Sequence, residues 1–329
     1  MNTTNLKPKV RFEMQTLLLA GILVFLLLFF GLNDQGFLAG RSISSMAIQL
    51  PEIGILSLAM MITVMIGGIN LSINATANLA AVLSGLFILR FMPESQGPMV
   101  IVAMVGISLL IGVITGAING FLVGYVGVPS ILATLATMSI FTGIGVGLTK
   151  GQTVTGFPEV VGSVASLSPL GIPMPFLVFV GITVIAYILL GRTTFGFKTR
   201  MLGTNPVASK FSGINNKAVI MQIFIFSGVL SSIAGVLIMS RTMSASNAYG
   251  TATYVMLTIL IGVLAGVVSG KGSVLNIFIT VFILQVISTG SHMLLAGVRG
   301  SSFFKDFAWG MLLIIIFIIN YFTHGRRKE

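Results

Sequence analysis

Met14-Gln-Thr-Leu-Leu-Leu-Ala-Gly-Ile-Leu-Val-Phe-Leu-Leu-Leu-Phe-Phe-Gly-Leu32 is a run of nineteen residues without a single charge. At about 1.5 Å of rise per residue such a run reaches about 30 Å, the thickness of a bilayer's hydrocarbon core. Lys7, Lys9 and Arg11 precede it. A basic segment before an apolar one also describes a secretory signal. This run is too long for a signal's apolar region, however, and no Ala-x-Ala-like site follows it, so it reads as an uncleaved first membrane helix.

Further apolar runs follow at 46–66, 75–91, 99–120, 129–148, 174–190, 218–240, 252–268, 274–295 and 307–323. The expectation is an all-α integral membrane protein with about ten transmembrane helices. Composition agrees. Across 329 residues 55% are hydrophobic and only 8% charged, where a soluble domain carries roughly 25% charged residues to keep its surface wet. The 39 glycines fit helices that approach closely in lipid. With no cysteine, disulfides, thiolate metal sites and cysteine nucleophiles are excluded.

A net charge of +11 invites a nucleic-acid reading, but the charges sit where a topology signal would put them. Placing the N-terminus in the cytoplasm brings the 191–217 connection, the Ser269-Gly270-Lys271-Gly272 turn and the C-terminal Arg326-Arg327-Lys328 to the same side. Twelve Lys and Arg then lie inside, against Arg41, Arg90, Lys150, Arg241, Arg299 and Lys305 outside. Both termini are therefore expected in the cytoplasm, and no soluble basic domain exists to bind nucleic acid. Five spans per half would permit an inverted repeat, a common plan among transporters, although the halves show no clear sequence similarity.

Intramembrane chemistry is sparse. Glu52, beside Pro51, sits near the start of the second run, and the remaining Asp and Glu fall near helix ends or in loops. A proton-driven carrier usually keeps ionisable groups at membrane depth, so it has few candidates here. Sodium coupling through hydroxyls and carbonyls needs no buried charge and stays open. No His/Asp/Glu cluster gathers at one depth, which argues against a membrane enzyme. Met60, Met61 and Met65 read as packing or lipid-facing residues rather than metal ligands, and Trp309 as an interface anchor.

Two stretches stand out. Gly67-Gly68-Ile69-Asn70-Leu71-Ser72-Ile73-Asn74 weakens any helix and offers side-chain hydrogen bonds. Asn70, Ser72 and Asn74 then either line a path for a polar, neutral solute on a broken helix, or sit in a loop and cap helices. The second stretch is the basic connection from Gly191 to Lys217. Asn205-Pro206 there can open a short helix, with Ala208, Phe211 and Ile214 at helical spacing and Gly213 near the stop. That apolar stripe must be buried on the membrane, on the bundle or on a partner.

At this connection the sequence resembles a known family. Gly196, Gly203, Asn205, Ala208, Gly213 and Ile214 match a G…A-x-G-x-N-x-x-A-A-x-x-x-G-I pattern, with Met201 and Ser209 replacing two small residues. Gly68-Ile69-Asn70-Leu71-Ser72 resembles G-I-D-L-S, with Asn70 in place of the acid. Asn119-Gly120, Gly127-Val128-Pro129-Ser130 and Thr134-Leu135-Ala136-Thr137-Met138 resemble N-G…G-V-P-P…T-L-x-T-M, and Ser269-Gly270-Lys271-Gly272-Ser273 a later G-G-x-G-S. Val263-Leu264 lacks the glycine pair that would precede it. In order and spacing these match the permease subunits of ATP-binding-cassette (ABC) sugar importers, the ribose-type branch similar to branched-chain amino-acid permeases.

The resemblance implies a multi-pass permease of the cell inner membrane, with residues 1–329 as one transmembrane domain. Within it, 1–13 and 324–329 are cytoplasmic tails and 191–217 is a cytoplasmic coupling loop. Gly203, Asn205, Ala208, Gly213 and Ile214 would contact a cytoplasmic ABC ATPase. An extracytoplasmic solute-binding protein would deliver cargo, and a second permease subunit, alike or different, would complete the path. The chain has no G-x-x-x-x-G-K-[ST] phosphate loop, so ATP hydrolysis is expected in a separate subunit and no cofactor in this one. A monosaccharide such as ribose is the expected cargo, with an autoinducer-2-like signalling molecule or a nucleoside as alternatives within the class. An ion-coupled secondary carrier is the alternative outside it.

Overall fold

The computed structural model describes residues 14–295 and, beyond them, only residues 307, 310, 311 and 314. The tails at 1–13 and 324–329 fall outside the described residues, as do most of the run at 307–323, Trp309, Arg299 and Lys305. Twelve α-helices are described in order: α1 Met14–Asn33, α2 Gly40–Val64, α3 Ile73–Phe91, α4 Pro98–Phe121, α5 Ser130–Thr149, α6 Glu159–Ser166, α7 Met174–Arg192, α8 Thr194–Thr204, α9 Pro206–Phe211, α10 Asn216–Thr242, α11 Thr251–Leu264 and α12 Val274–Leu294. Eight of them are long and apolar enough to cross a membrane: α1 to α5, α7, α10 and α12. α11, with 14 residues, is too short to cross the hydrocarbon core unaided. Each apolar run from 46 to 295 coincides with one of these helices to within a few residues.

Helix starts follow the local chemistry. α4 and α7 carry proline in their first turn, where the missing N–H costs nothing. Asn205, Asn215 and Ser273 cap α9, α10 and α12 with their side chains. α4 closes in a π-turn over Leu122–Val126, and Gly127, at φ +88°, turns the chain towards α5.

Burial sorts the helices. α2, α3 and α10 form the centre, with about three-quarters of their membrane windows enclosed by protein, whereas α1 is only 17% buried and α4, α5 and α7 are 28%. Those outer helices carry Leu17, Phe25, Leu110, Leu132, Ile144 and Ile185 on bare faces, as suits surfaces turned towards lipid or another subunit. Met60, Met61 and Met65 are fully buried in the main core.

The most extensive helix contact is α10 against α4. A Cβ on Gly112 would stand 2.6 Å from the Gly228 carbonyl oxygen, and one on Gly116 2.5 Å from that of Phe224. Small residues one helical turn apart thus let the two backbones touch, the usual device where water supplies no drive for association. At one end of the bundle lie α8, α9, the turn at 266–272 and the basic residues Arg192, Lys198, Arg200, Lys210, Lys217 and Lys271. At the other end lie Asp34, Glu94 and Glu159.

Candidate functional site: the polar break between two spans and the basic knob

After Val64 the chain leaves the helix, and it re-enters one only at Ile73. Gly67 takes φ +77°, which L side chains rarely adopt, and a Cβ on Gly68 would crowd Ser130 Oγ at 3.1 Å. The freed backbone groups find partners on α5. Ser130 Oγ accepts from Ile69 N at 3.2 Å, and Thr134 Oγ1 accepts from Leu71 N at 3.1 Å while lying 3.1 Å from Ile69 O. Unsatisfied backbone in a membrane interior costs several kcal/mol per group, which explains why hydroxyls stand at both positions.

A head-to-tail relay of side chains crosses the break. Thr137 donates to Asn119 Oδ1 (2.6 Å), Asn119 Nδ2 to Ser72 Oγ (2.8 Å), and Ser72 Oγ to Asn70 Oδ1 (2.8 Å). Asn70 Nδ2 then donates to Ser227 Oγ (3.0 Å), whose hydroxyl donates to the Ala59 carbonyl (2.9 Å). Five elements (α5, α4, the break, α10 and α2) are joined by uncharged groups. Asn70, Ser72 and Asn74 are all buried. Ser72 stands at the N-cap position of α3 without a capping bond, and its own N–H donates to Asn70 Oδ1 at 3.1 Å.

Asn74 and Asn78, one turn apart on α3, both donate to the Tyr249 carbonyl at 2.9 Å, and Asn78 also donates to that of Asn247 at 3.2 Å. The connection between α10 and α11 is thereby tied to α3. Asn74 Oδ1 and Asn247 Oδ1 are buried acceptors without a donor among the described residues.

Above this lies a group that reading the sequence missed. Because α2 begins at Gly40, Glu52 sits halfway along it rather than near its start. Its carboxylate is buried and takes both Nε and Nη2 of Arg241, the latter at 3.2 Å from Oε2. Tyr249 and Tyr254 hydroxyls donate to Oε2 at 3.1 and 3.2 Å, and their rings meet edge to face at 5.6 Å. This is the only ion pair among the described residues. It ties α2 to the end of α10 and to α11. A lone carboxylate inside one apolar run and a lone arginine at the end of another are the signal that could have suggested it, since each needs a partner.

At the basic end, α8 and α9 make a knob. α8 falls within a stretch expected to be a loop. Asn205 accepts from Val207 N and Ala208 N, both at 3.0 Å, and so caps α9, which Pro206 opens. Gly213, at φ +76°, ends it in a conformation that L side chains rarely adopt. α9 stops at Phe211, so the expected stripe of Ala208, Phe211 and Ile214 divides: Ile214 turns inward and packs against the core, while Ala208 and Phe211 stay exposed. Phe211 is 87% and Val207 64% exposed, beside Lys210. Gly203 seats the knob, since a Cβ there would stand 1.9 Å from Met65 O and 2.5 Å from Gly270 N. Gly270 N in turn donates to Met65 O at 2.8 Å. The knob therefore bears directly on the end of α2 where the break begins.

A sequence profile for the family described as "branched-chain amino acid transport system / permease component" matches residues 42–319. The chain belongs to this family of importer permeases. It is a multi-pass protein of the inner membrane. Among curated relatives, the permease is 30% identical over 276 residues to the "D-allose transport system permease protein AlsC" of Escherichia coli K12, covering 83% of this chain and 82% of that one. The "autoinducer 2 import system permease protein LsrD" of Salmonella typhi is 30% identical over 308 residues, covering 91% and 89%. LsrD of Photorhabdus luminescens is 26% identical over 283 residues, covering 84% and 83%. No solved structure matches the permease. The stretches that carried the family resemblance converge in space. Asn70, Ser72, Asn119, Ser130, Thr134 and Thr137 meet at the break, and Gly203 and Gly270 meet beneath it.

Proposed function

We propose that this permease forms the membrane path of an ATP-driven importer for a small, neutral, hydroxyl-rich solute, a monosaccharide or a sugar-like molecule. The observation that carries the proposal is the knob: an exposed apolar surface at Val207, Ala208 and Phe211, mounted by Gly203 on the foot of a polar break in the bundle. Gly203, Asn205, Ala208, Gly213 and Ile214 would transmit the closure of a separate ATPase: Ala208 by contact, Asn205 and Gly213 by shaping α9, Gly203 and Ile214 by fixing it to the bundle. Asn70, Ser72 and Asn74 would hold the moving wall of the path through bonds that rearrange without creating a charge, as suits neutral cargo. Asn74 Oδ1, buried without a donor among the described residues, would accept from a solute hydroxyl once the bundle opens.

The relatives named for allose and autoinducer 2 support a sugar or sugar-like signalling molecule over a nucleoside, with ribose as one pentose among the candidates. Both termini would lie in the cytoplasm. A solute-binding protein on the opposite side and a second permease subunit would complete the transporter. Co-purification in mild detergent tests this reading. A phosphate-loop ATPase is expected with the wild-type chain and lost in Phe211→Glu, whose side chain is nearly free of the fold. If Phe211→Glu retains the ATPase, the contact does not lie on the knob; if no ATPase accompanies the wild-type chain, or ion gradients alone drive uptake by the purified chain, the importer reading fails.

A further inference from the structure

A cavity of about 580 Å³ opens at the basic end between α1, α7, α8, the 266–272 turn and the start of α12. That is the size of a small-ligand site, roughly 300–1,000 Å³. Its lining has two characters. Arg200 of α8 and Lys271 of the turn contribute cations, and Gln15 and Asn276 contribute amides, while Tyr187 and Leu190 of α7 contribute an apolar wall. Close packing sets the helical turn that carries Arg200 against the turn that carries Lys271. A Cβ on Gly270 would meet Thr204 Oγ1 at 2.2 Å, and that hydroxyl donates to the Arg200 carbonyl at 2.9 Å, so Arg200 lies one helical turn from Lys271's neighbour.

Neither cation has a hydrogen-bond or ion-pair partner among the described residues. The described carboxylates are elsewhere: Asp34, Glu94 and Glu159 at the other end, and Glu52 held by Arg241. Two cations on one cavity, with no carboxylate among its described lining residues, suit an anion with several acceptor oxygens. The apolar wall decides which source supplies it. α1 and α7 leave most of their apolar surface outside the bundle, and Tyr187, 54% exposed, lies in the last two turns of α7 at the basic end, a position that suits an interfacial tyrosine. A soluble phosphate would leave that wall wet, whereas a phospholipid covers it with its glycerol and upper acyl chain.

We infer that this cavity binds the phosphodiester headgroup of an anionic phospholipid from the leaflet at the basic end, with Arg200 and Lys271 on the phosphate and Tyr187 along the acyl chain. The lipid would bridge α8 to the 266–272 turn and so brace the base of the knob. This inference does not depend on which solute the permease carries.

Native mass spectrometry of the purified full-length chain tests it, with phosphatidylglycerol and phosphatidylcholine of matched chains titrated separately and together with millimolar inorganic phosphate. Phosphatidylglycerol is expected to bind more tightly than phosphatidylcholine and to resist displacement by phosphate. Arg200→Gln with Lys271→Gln is expected to weaken phosphatidylglycerol on the order of 25-fold, about fivefold per cation near the surface. Lys210→Gln with Lys217→Gln, which removes the same charge at the same end, is expected to leave binding unchanged. Equal binding of the two lipids, or an equal loss in both double variants, overturns the site. Displacement by inorganic phosphate overturns the lipid as its occupant. Should the neutralised pair fail to fold, Arg200→Lys with Lys271→Arg must keep phosphatidylglycerol binding and Tyr187→Glu must lose it.

Discussion

A methyl group at Gly203 has nowhere to go: the Met65 carbonyl and the Gly270 amide are backbone and cannot swing aside. Gly203→Val is expected to lower stability by about 3 kcal/mol, the upper end of overpacking costs, read as a lower Tm of the detergent-purified chain. An unchanged Tm would mean that α8 does not press on α2 in this way. The Glu52–Arg241 pair sets a different test. Arg241→Gln leaves a buried carboxylate with only two tyrosine hydroxyls, a loss of about 3–5 kcal/mol for a fully buried pair and less here because Arg241 is 28% exposed. Glu52→Gln combined with Arg241→Gln removes both charges and is expected to melt closer to wild type than Arg241→Gln alone. If the double variant is instead as weak as the two single losses added together, the pair is not coupled. Single residues of this kind were only half legible. The sequence displays Glu52 and Arg241 as two isolated exceptions, but 189 positions separate them, and only folding makes them partners.

At the scale of elements, the break between α2 and α3 depends on Asn119 of α4, which accepts from Thr137 and donates to Ser72. Asn119→Leu keeps the volume but removes one bond from each hydroxyl, leaving Ser72 its bond to Asn70 and Thr137 the Thr134 carbonyl at 3.3 Å, a loss of about 1 kcal/mol per bond. The expected result is faster hydrogen exchange in residues 65–74 than in α10, with the remaining helices protected as before. Uniform exchange across the bundle would show that the relay does not hold the break. The break itself was readable from Gly67-Gly68 and the polar residues after it, because a helix in lipid cannot lose backbone bonds without substitutes. Its substitutes were not: Ser130, Thr134 and Thr137 are ordinary helix residues until α5 is packed beside the break. α8 was missed for a related reason. Its segment is polar and interrupted by Gly196 and Gly203, and the contacts that keep it helical come from α7 and the 266–272 turn.

For the whole molecule, the absence of cysteine makes orientation directly measurable. Lys210→Cys at the knob and Glu94→Cys between α3 and α4 are both at exposed positions. In intact cells a membrane-impermeant maleimide is expected to label Glu94→Cys and spare Lys210→Cys, with the reverse in inside-out vesicles. The opposite pattern would invert the topology and remove the knob from any cytoplasmic ATPase. By itself the sequence determined that the chain lives in lipid, where most of its spans begin and end, and which end is basic. Those properties depend on transfer of side chains from water and on the length of a bilayer, which act residue by residue along the chain. Tertiary structure alone decided which helices are central, which polar residues satisfy one another, and that Ile214 turns inward while Phe211 stays exposed. Those outcomes depend on contacts between segments far apart in the chain, where hydrogen-bond geometry and close packing choose among partners that hydropathy treats as equal.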